Sequence, residues 1–409
     1  MKILFVHQNF PGQFKYMAPE LLNRGHEVVA LAVHFQGDSW LGVKVVQYQA
    51  AYTSTPNIHP WVADFESKII RSDSCFRAAM AMKESGFNPD IIIAHHGWGE
   101  SLFLKEVWPT AKIGIYCEFF YLNKGADNGF DKEFPEMDLG NVCRLRLKNL
   151  HHLLQFEDAD AAISPTYWQA STFPKPYRKK IKVIHDGIDT NKIIPNPNIQ
   201  VVYGGRTFTR HDEVITFVNR NLEPYRGYHI FMRSLPALLQ RRPNAHIFIV
   251  GGNKVSYGKP APHGKSWKDI FISEVRSQIS DVNWSRVHFL GNVYYDQFLG
   301  LLQLSKVHVY LTYPFVLSWS LLEAMSAGCA ILASNTAPLE EVIIDKENGR
   351  LIDFFDVCGI VDQICELLDD PDQLKRLGSN ARKFAQMNYD LSQVCLPKQI
   401  EWVEKISSL

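Results

Sequence analysis

The sequence lacks an excess of either charge and any long apolar run. Of its 409 residues, 43 are Lys or Arg and 43 are Asp or Glu, so the formal net charge is zero. This balance argues against nucleic-acid binding, because domains that bind nucleic acid carry a strong positive excess. No stretch approaches the roughly 18 apolar residues of a membrane-spanning helix, and the apolar run before His7 is too short for the core of a signal peptide. We therefore expect a soluble, cytoplasmic protein.

Paired cysteine motifs are also missing. The seven cysteines are scattered, with no C-x-x-C pair and no Cys/His cluster at zinc spacing. An odd, dispersed set of this kind is typical of reduced thiols that pack as small hydrophobes. The sequence therefore predicts no structural zinc site and no disulfide framework.

A dinucleotide-binding glycine motif is missing as well. The first strand–helix turn, residues 7–13, holds the single Gly12, and the second strand ends at Val33-His34 without an acid for a ribose hydroxyl. Both features disfavour an NAD site. Gly12 is either a tight turn or a point where the backbone approaches a phosphate or sugar closely.

What the sequence does contain is an alternation of short apolar strands and helical patterns. The strands are nearly continuous apolar runs, which indicates that both of their faces are covered. The pattern restarts after a proline- and asparagine-containing segment, 188–197, and only helical patterns follow residue 361. We therefore predict two doubly wound α/β domains, 1–190 and 191–385, with a C-terminal helix, 386–409, that crosses back to the first domain.

Two arginines mark the first strand–helix turn of the second domain. Arg220 follows the strand predicted at Val214–Val218, and Arg226 precedes the next helix. An arginine fork suits phosphate oxygens. The pair either converges on one dianion or is solvated surface.

A second turn of this domain lies in residues 311–328. Ser318 or Ser320 caps a short helix that Gly328 ends, and the helix N-terminus offers amides to an anion. Glu323 in that helix either accepts hydrogen bonds from sugar or ribose hydroxyls or only balances the helix dipole.

Four motifs occur in order: Arg-x5-Arg-Gly (220–227), Phe-Ile-Val-Gly-Gly (248–252), Val-His-Phe-Leu-Gly-Asn-Val (287–293) and Leu-Leu-Glu-Ala-Met-Ser-Ala-Gly (321–328). Together with Leu-Leu-Asn-Arg-Gly-His-Glu-Val (21–28) and Val-Ile-His-Asp-Gly-Ile-Asp-Thr (183–190), they resemble the retaining family 4 (group 1) glycosyltransferases. The resemblance covers nearly the whole chain. It implies the GT-B fold, in which two Rossmann-like domains face each other across a cleft.

The resemblance also implies roles for particular residues. Arg220 and Arg226, in place of the family's Arg and Lys, would hold a nucleotide diphosphate, and Glu323 would bind the donor's ribose. The backbone amides of Leu317 and Ser318 would meet the diphosphate or the sugar. The remaining implied contacts are Asn292 and Val293 at the base and Gly12 at the diphosphate.

Two positions depart from the family. Phe315 stands where the first acid of the E-x7-E motif belongs, so the identity of the donor sugar is open. After the strand at Lys112–Tyr116, where many relatives have a histidine, this chain has Cys117-Glu118. Glu118 is therefore a candidate catalytic group, and His95 or His96 is the alternative, one of the two being structural.

Two further segments have weaker patterns. Asp158 and Asp160 spell D-x-D, but they precede a strand, so helix-end acids are favoured over a metal site. The segment 175–182 holds five basic residues and is either a solvated loop or a contact with anionic lipid.

The sequence therefore predicts a metal-independent, retaining hexosyltransferase with no cofactor. Its co-substrate would be a UDP- or GDP-linked sugar, and its acceptor a hydroxyl of a glycan, a lipid-linked sugar or a small molecule. We expect it in the cytoplasm, either free or peripheral to the inner face of the membrane. The alternatives are a sugar-nucleotide epimerase of the same fold and a non-catalytic sugar-nucleotide-binding protein.

Overall fold

A computed structural model describes residues 1–135 and 138–408. The chain divides into two units, Met1–Gly187 with Leu391–Leu409, and Ile188–Asp390. The boundaries therefore lie at 187/188 and 390/391 rather than at the predicted 190 and 385. The proline-containing segment is not a free linker, because Ile188 bridges Asp390 and joins the core of the second unit together with Ile193.

The first unit contains a sheet with the strand order β3-β4-β2-β1-β5-β6-β7-β8 within the described residues. Every pairing is parallel except that of β3 with β4. The central strands are buried on both faces, as their continuous apolar sequences predict. The strands are β1 (Lys2–Val6), β2 (Glu27–Ala32), β3 (Ser39–Trp40), β4 (Val43–Gln47), β5 (Ile91–His95), β6 (Lys112–Tyr116), β7 (Ala161–Ser164) and β8 (Ile181–Val183).

Helices connect these parallel strands. The longest, α2, buries only small and medium side chains, among them Cys75, Ala79 and Met82. The helices are α1 (Met17–Asn23), α2 (Ala63–Glu84), α3 (Leu104–Val107), α4 (Leu139–Lys148), α5 (Leu150–Asp158), α6 (Tyr167–Thr172) and α7 (Lys175–Arg178).

The second unit opens with a two-stranded antiparallel hairpin and continues as a parallel sheet with the order β13-β12-β11-β14-β15-β16. Counted from β11, this is the order 3-2-1-4-5-6 of a doubly wound sheet. Strand β11 runs past the predicted Val218 to Asn221. The strands are β9 (Gln200–Tyr203), β10 (Arg206–Thr209), β11 (Val214–Asn221), β12 (His246–Gly252), β13 (Val287–Gly291), β14 (Val307–Tyr310), β15 (Ala330–Ser334) and β16 (Arg350–Ile352).

The helices of the second unit include the long α15, which packs on α12 and β15 and buries Leu377, Ala381 and Ala385. They are α8 (Tyr228–Arg241), α9 (Trp267–Arg276), α10 (Asp281–Trp284), α11 (Tyr295–Leu304), α12 (Trp319–Ser326), α13 (Ala337–Glu340), α14 (Val357–Asp369) and α15 (Pro371–Tyr389).

The last helix, α16 (Leu396–Ile406), packs on the sheet of the first unit. Its Trp402 and Ile406 lie against Gly114 of β6, where an added Cβ would come within 2.9 Å and 2.7 Å of their side chains. Gln399 donates a hydrogen bond to the carbonyl of His185. None of the helices in the described ranges is long and apolar enough to span a membrane.

Each sheet has a topological switch point, where successive strands along the chain begin to be added at the other side of the first strand. In the first unit β1 lies between β2 and β5, and in the second β11 lies between β12 and β14. Ligands of open α/β sheets bind outside the carboxyl ends of the strands at such switch points. The loops that follow β1, β5, β11 and β14 are therefore where a site is expected.

Candidate active site

In the first unit, the loops after β1 and β6 meet through a chain of hydrogen bonds. His7 Nε2 lies 2.9 Å from Gln13 Oε1, and Gln13 Nε2 donates to Glu118 Oε1 at 3.1 Å. The backbone carbonyl of Glu118 accepts a further hydrogen bond from Gln169. Both the side chain and the backbone of Glu118 are thus held at the carboxyl edge of the sheet.

The hydrogen bonds fix the protonation of the neighbouring rings. His7 Nδ1 accepts from the Asn9 amide, so the proton of the neutral ring lies on Nε2 and is donated to Gln13. Burial lowers the pKa of His7 to about 4, so the ring is neutral at physiological pH. Glu118 consequently receives a hydrogen bond from an oriented amide.

His95, at the end of β5, faces the same carboxylate. Its Nδ1 accepts from the Gly97 amide, so Nε2 carries the proton and lies 3.7 Å from Glu118 Oε2. Burial, and then the nearby His7 and His96, hold the pKa of His95 well below its ordinary value, so this contact is not an ion pair. Trp98 stacks on the ring at 4.1 Å between centroids and fixes its orientation.

His96 occupies a different environment from His95. Its Nδ1 lies 2.7 Å from the carbonyl oxygen of Tyr116, and its ring packs against His152 and Phe173 in the interior. Burial lowers its pKa to about 4. Of the two candidate histidines, the structure brings His95 to Glu118 and places His96 in the core.

Gly12 lies directly against His7. Its φ of +47° is in the left-handed region, and a Cβ added there would lie 2.2 Å from His7 Nε2. Any larger residue would displace the imidazole and break its bond to Gln13. The observed reason for glycine is therefore the close approach to His7, and contact with a diphosphate stays a prediction.

In the second unit, Arg226 is buried at the switch point. Its NH1 group donates to the Tyr310 hydroxyl at 3.1 Å, to Thr312 Oγ1 at 2.8 Å and to the Val316 carbonyl at 3.3 Å. The guanidinium therefore joins the end of β14 to the loop that precedes α12. Within the described residues it has no carboxylate partner. Burial lowers the pKa of Arg226, but Tyr310 and Tyr257 outweigh this effect and raise it above its ordinary value, so the charged form is held by neutral oxygens.

Arg220 does not share this environment. It lies on β11, is exposed, and forms no hydrogen bond or ion pair with any described residue. The predicted convergence of Arg220 and Arg226 is therefore not observed, because the longer strand and the Glu223–Gly227 turn place one side chain in solvent and the other in the interior. Gly227 permits that turn: its φ is +70°, and an added Cβ would lie 2.3 Å from Leu311 Cβ.

Phe315, at the position of the missing acid, is part of an aromatic cluster around Arg226. Its ring lies 5.1 Å from Tyr225 and 5.0 Å from Tyr257, and the Arg226 guanidinium carbon lies 5.9 Å from it. Tyr257 is closer still, at 5.0 Å. The departure from the family motif thus replaces an acid by a ring that packs beside the buried cation.

The amide of Ser318 differs from its predicted role. It donates to the Tyr310 hydroxyl at 3.2 Å, the same hydroxyl that accepts from Arg226. The Ser318 hydroxyl caps α12, and the side chain of Leu317 packs into the core of the unit. The hydrogen bond to Tyr310 therefore fixes the position of this segment. For the Ser318 amide to contact a nucleotide sugar, this hydrogen bond would have to break.

Glu323 contacts the helix that follows β13, and its predicted role at a ribose stays a prediction. Tyr295, at the start of α11, donates to Glu323 Oε1 at 2.7 Å. Asn292 lies beside Gly252, at whose position an added Cβ would be 3.2 Å from Asn292 Oδ1, and Val293 packs against the core. The carboxyl ends of β12 and β13 thus lie beside each other, while α11, which follows β13, reaches Glu323 on α12.

Glu223 is a buried acid that the sequence analysis did not single out. Its carboxylate accepts from the amides of Ser256, Tyr257 and Gly258 at 3.0, 3.3 and 3.1 Å. These bonds anchor the start of the glycine-rich segment 251–264 and hold Tyr257 over Arg226. The available sequence signal is the acid at position 223 in a predicted turn. Its burial and its bonds to the loop amides are visible only in the structure.

The remaining acidic and basic segments lie away from the switch points. Asp160 accepts a hydrogen bond from the Ile113 amide at 2.8 Å and pairs with Lys105 and Lys112. Its carboxylate therefore already has partners, and it lies at the amino ends of the strands. Asp158 ends α5, as the favoured prediction of helix-end acids has it. The basic segment 175–182 forms α7 and the start of β8.

The fold is that of the GT-B glycosyltransferases, as comparison with solved structures shows. Sucrose-phosphate synthase from Thermosynechococcus elongatus superposes with a TM-score of 0.72 at 15% identity, and both chains are covered completely. The Anabaena protein HepE, solved in complex with UDP-glucose, gives a TM-score of 0.65 at 16% identity with the same coverage. At these identities the likeness concerns the fold.

Family models match both units of the chain. Residues 24–193 match the glycosyl transferase family 4 group, and residues 206–384 match the glycosyl transferases group 1. The chain belongs to the group 1, family 4 glycosyltransferases.

Individual relatives are similar over part of their length. The chain is 30% identical over 192 residues to the phosphatidyl-myo-inositol mannosyltransferase of Mycolicibacterium smegmatis. This alignment covers 46% of this chain and 44% of that protein. It is 21% identical to the D-inositol 3-phosphate glycosyltransferase of Corynebacterium efficiens over 74% of this chain and 69% of the relative. The chain thus matches from about half to about two thirds of these relatives.

Proposed function

We propose that this protein is a metal-independent, retaining glycosyltransferase that moves a sugar from a nucleoside diphosphate sugar to an acceptor hydroxyl. The observation that carries the proposal is the buried charge of Arg226 at the switch point of the second unit, which has neutral acceptors and no carboxylate partner among the described residues. A buried cation without a carboxylate partner is costly unless an anion is bound beside it. A diphosphate supplies that anion, and membership of the family supports this choice.

The residues proposed to bind the rest of the donor follow the strands of the same sheet. Glu323, oriented by Tyr295, would accept hydrogen bonds from the ribose hydroxyls, and Asn292 with Val293 would lie along the base. Arg220, which is exposed, has its full set of donors available for a phosphate. The relatives support the donor class, since one is named a GDP-mannose-dependent mannosyltransferase of Mycolicibacterium smegmatis.

The chemistry proposed needs charge stabilisation rather than a metal. The bond between the anomeric carbon and the diphosphate oxygen breaks, and a bond to the acceptor oxygen forms on the same face of the sugar. The acceptor proton passes to the leaving phosphate oxygen. Arg226 and Arg220 would stabilise the negative charge on the leaving group, and the Glu118 carboxylate would stabilise positive charge on the sugar.

The acceptor is proposed only as a hydroxyl of a glycan, a lipid-linked sugar or a small molecule. The names of the relatives, which include inositol phosphate and phosphatidylinositol, support acceptors of the last two kinds. A cytoplasmic location, either free or at the inner face of the membrane, is proposed on the same basis.

Turnover with a panel of UDP- and GDP-linked sugars tests the proposal against its two alternatives. Transfer releases nucleoside diphosphate and forms a glycoside whose anomeric configuration, read by NMR, equals that of the donor. Epimerisation leaves the nucleotide sugar intact with an altered sugar, and a binding protein shows a thermal shift with no new product. Either of the last two results, or an inverted product, would overturn the proposed reaction.

Metal independence has its own measurement. Excess EDTA should leave the rate unchanged, because Arg226 and Arg220 supply the positive charge. An activity that disappears with chelator and returns with Mn²⁺ would show that a cation takes part.

A further inference from the structure

The second unit contains a cavity of about 600 Å³ at the amino ends of its strands. Glu213 and Lys306, which line it, immediately precede β11 and β14, whereas the donor residues follow those same strands. The cavity therefore lies at the opposite edge of the sheet from the switch point. Its volume falls in the range of small-molecule sites, about 300–1,000 Å³.

Positive charge dominates the lining of this basic cavity. Its walls carry Arg210, Lys306, Lys375, Arg382 and Lys383, and its acidic residue is Glu213. None of the five cationic side chains forms an ion pair with another described residue. Like charges gathered at one concave surface raise the local concentration of anions.

The one acid of the lining, Glu213, offsets only part of this positive charge, because it is also bound to an arginine outside the set. Arg242 reaches Glu213 with two groups, Nε at 3.3 Å from Oε2 and NH2 at 2.6 Å from Oε1. A bidentate pair of this kind satisfies both carboxylate oxygens. Arg242 also pairs with Asp369, so its charge is shared between two carboxylates, and Glu213 offsets at most one of the five positive charges of the lining.

Two of the cations are held in place by backbone carbonyls. Arg210 donates to the carbonyls of Gln303 and Ser305, and Arg382 donates to those of Ile193 and Ser326. Carbonyl partners orient a guanidinium without cancelling its charge. The neighbouring Lys306 is only partly compensated: burial, and then Arg210, lower its pKa, and the smaller opposing effect of Glu213 does not cancel them.

We propose that the basic cavity binds a small organic phosphate, such as a sugar phosphate, at a site separate from that of the donor. Oriented arginines with adjacent lysines provide fork-shaped and point-like donors for a phosphate dianion. The cavity is larger than a phosphate ion, so it has room for the organic part of the ligand. Its wall at Gly328 and Arg382 contacts the last turn of α12, the helix that carries Glu323.

Calorimetric titration of the full chain with glucose 6-phosphate and with inorganic phosphate, at constant ionic strength and without a nucleotide sugar, tests the site. Lys306→Met keeps the length of the side chain and removes its charge, and it should weaken binding at least tenfold. The double variant Lys375→Glu/Lys383→Glu should do the same. The matched control is Lys175→Glu/Lys179→Glu, which makes the same change of charge in exposed residues of the first unit and should leave affinity unchanged.

Three results would overturn the inference. They are no binding of either phosphate, equal losses in the cavity and control variants, and wild-type affinity in both cavity variants. A fourth arm uses vesicles of phosphatidylglycerol with phosphatidylcholine. Vesicle binding that depends on Lys375 and Lys383, with no binding of soluble phosphates, would assign these residues to a membrane surface instead.

Discussion

Gln13 donates a hydrogen bond to the Glu118 carboxylate across a separation of 105 positions in the sequence. The same amide group accepts from His7, whose proton is fixed on Nε2 by the Asn9 amide. His95 presents a second N–H group to the carboxylate at 3.7 Å. An acid that is oriented by a hydrogen bond on one oxygen and faced by an N–H group at the other is a preorganised negative charge, which is what the proposed positive charge on a sugar requires.

The first prediction concerns this carboxylate. Glu118→Gln keeps the shape of the side chain and removes its charge, so kcat should fall by about 10²-fold or more while the KM for the donor changes little. The measurement is steady-state kinetics with the donor that turns over. Glu106→Gln, an exposed acid on α3, is the control and should keep wild-type kinetics. Normal turnover by Glu118→Gln would make His95 the next group to test.

The second prediction separates the two arginines. Arg226→Ala leaves Tyr310, Thr312 and Val316 without their buried donor, so it should lower the free energy of unfolding by about 1–3 kcal/mol or more, besides weakening nucleotide binding. Arg220→Ala removes an exposed side chain, so its unfolding free energy should stay within about 0.5 kcal/mol of the wild type.

Nucleotide diphosphate affinity measured by calorimetry completes this comparison. Arg220→Ala should weaken binding about tenfold or more, since a hydrogen bond to a charged group contributes about 1.5–3 kcal/mol. Arg226→Lys retains the charge but not the fork, and it should recover part of the affinity lost in Arg226→Ala. Near wild-type affinity in every variant would remove both arginines from the donor site.

The third prediction concerns the pair formed by Tyr295 and Glu323. Tyr295→Phe removes the hydroxyl that orients the carboxylate, so the KM for the donor should rise several-fold with kcat nearly unchanged. Tyr294→Phe, at the adjacent and largely exposed position, is the control. A fall in kcat with unchanged KM would instead place Tyr295 near the reacting atoms.

Most strands can be predicted from the sequence, because a strand that is buried on both faces is a continuous apolar run. Lys112–Tyr116 and Ala161–Ser164 have the predicted bounds, and the fold class follows from their alternation with helices. The two-residue strand Ser39–Trp40 leaves too short a pattern to detect. The polar end of β11 lacks the apolar pattern of a strand, so the sequence predicts a loop at Arg220, which the structure places on the strand.

Side-chain partners depend on tertiary structure, and for this reason the sequence does not reveal them. The role of Gln13 requires knowing that β1 and β6 end at the same edge, and the role of Tyr295 requires the position of α11 beside α12. The motifs identified Glu118 and Glu323 but not the groups that hold them. Burial of Arg226 was likewise hidden, since its neighbours in sequence form an ordinary turn.

The last prediction concerns Glu100, a fully buried acid of the first unit. Neither of its carboxylate oxygens has a hydrogen-bond partner from another of the described residues. Burial raises its pKa from 4.5 to about 7, against the opposing effects of its own backbone amide and then of Arg71 and Lys68. Between these two pH values the folded protein therefore keeps a proton on Glu100 that the unfolded chain has released. This difference makes the free energy of unfolding depend on pH.

The sign follows from the raised pKa. The stabilising contribution is complete below about pH 4.5 and is lost as the pH rises through about 7, at a rate of about 1.4 kcal/mol per pH unit. Glu100→Gln has no proton to lose. Its unfolding free energy relative to wild type should therefore increase between pH 5 and 7.5, as urea unfolding at several pH values would measure. Glu106→Gln should run parallel to wild type, and a parallel curve for Glu100→Gln would show that Glu100 is ionised in the folded protein.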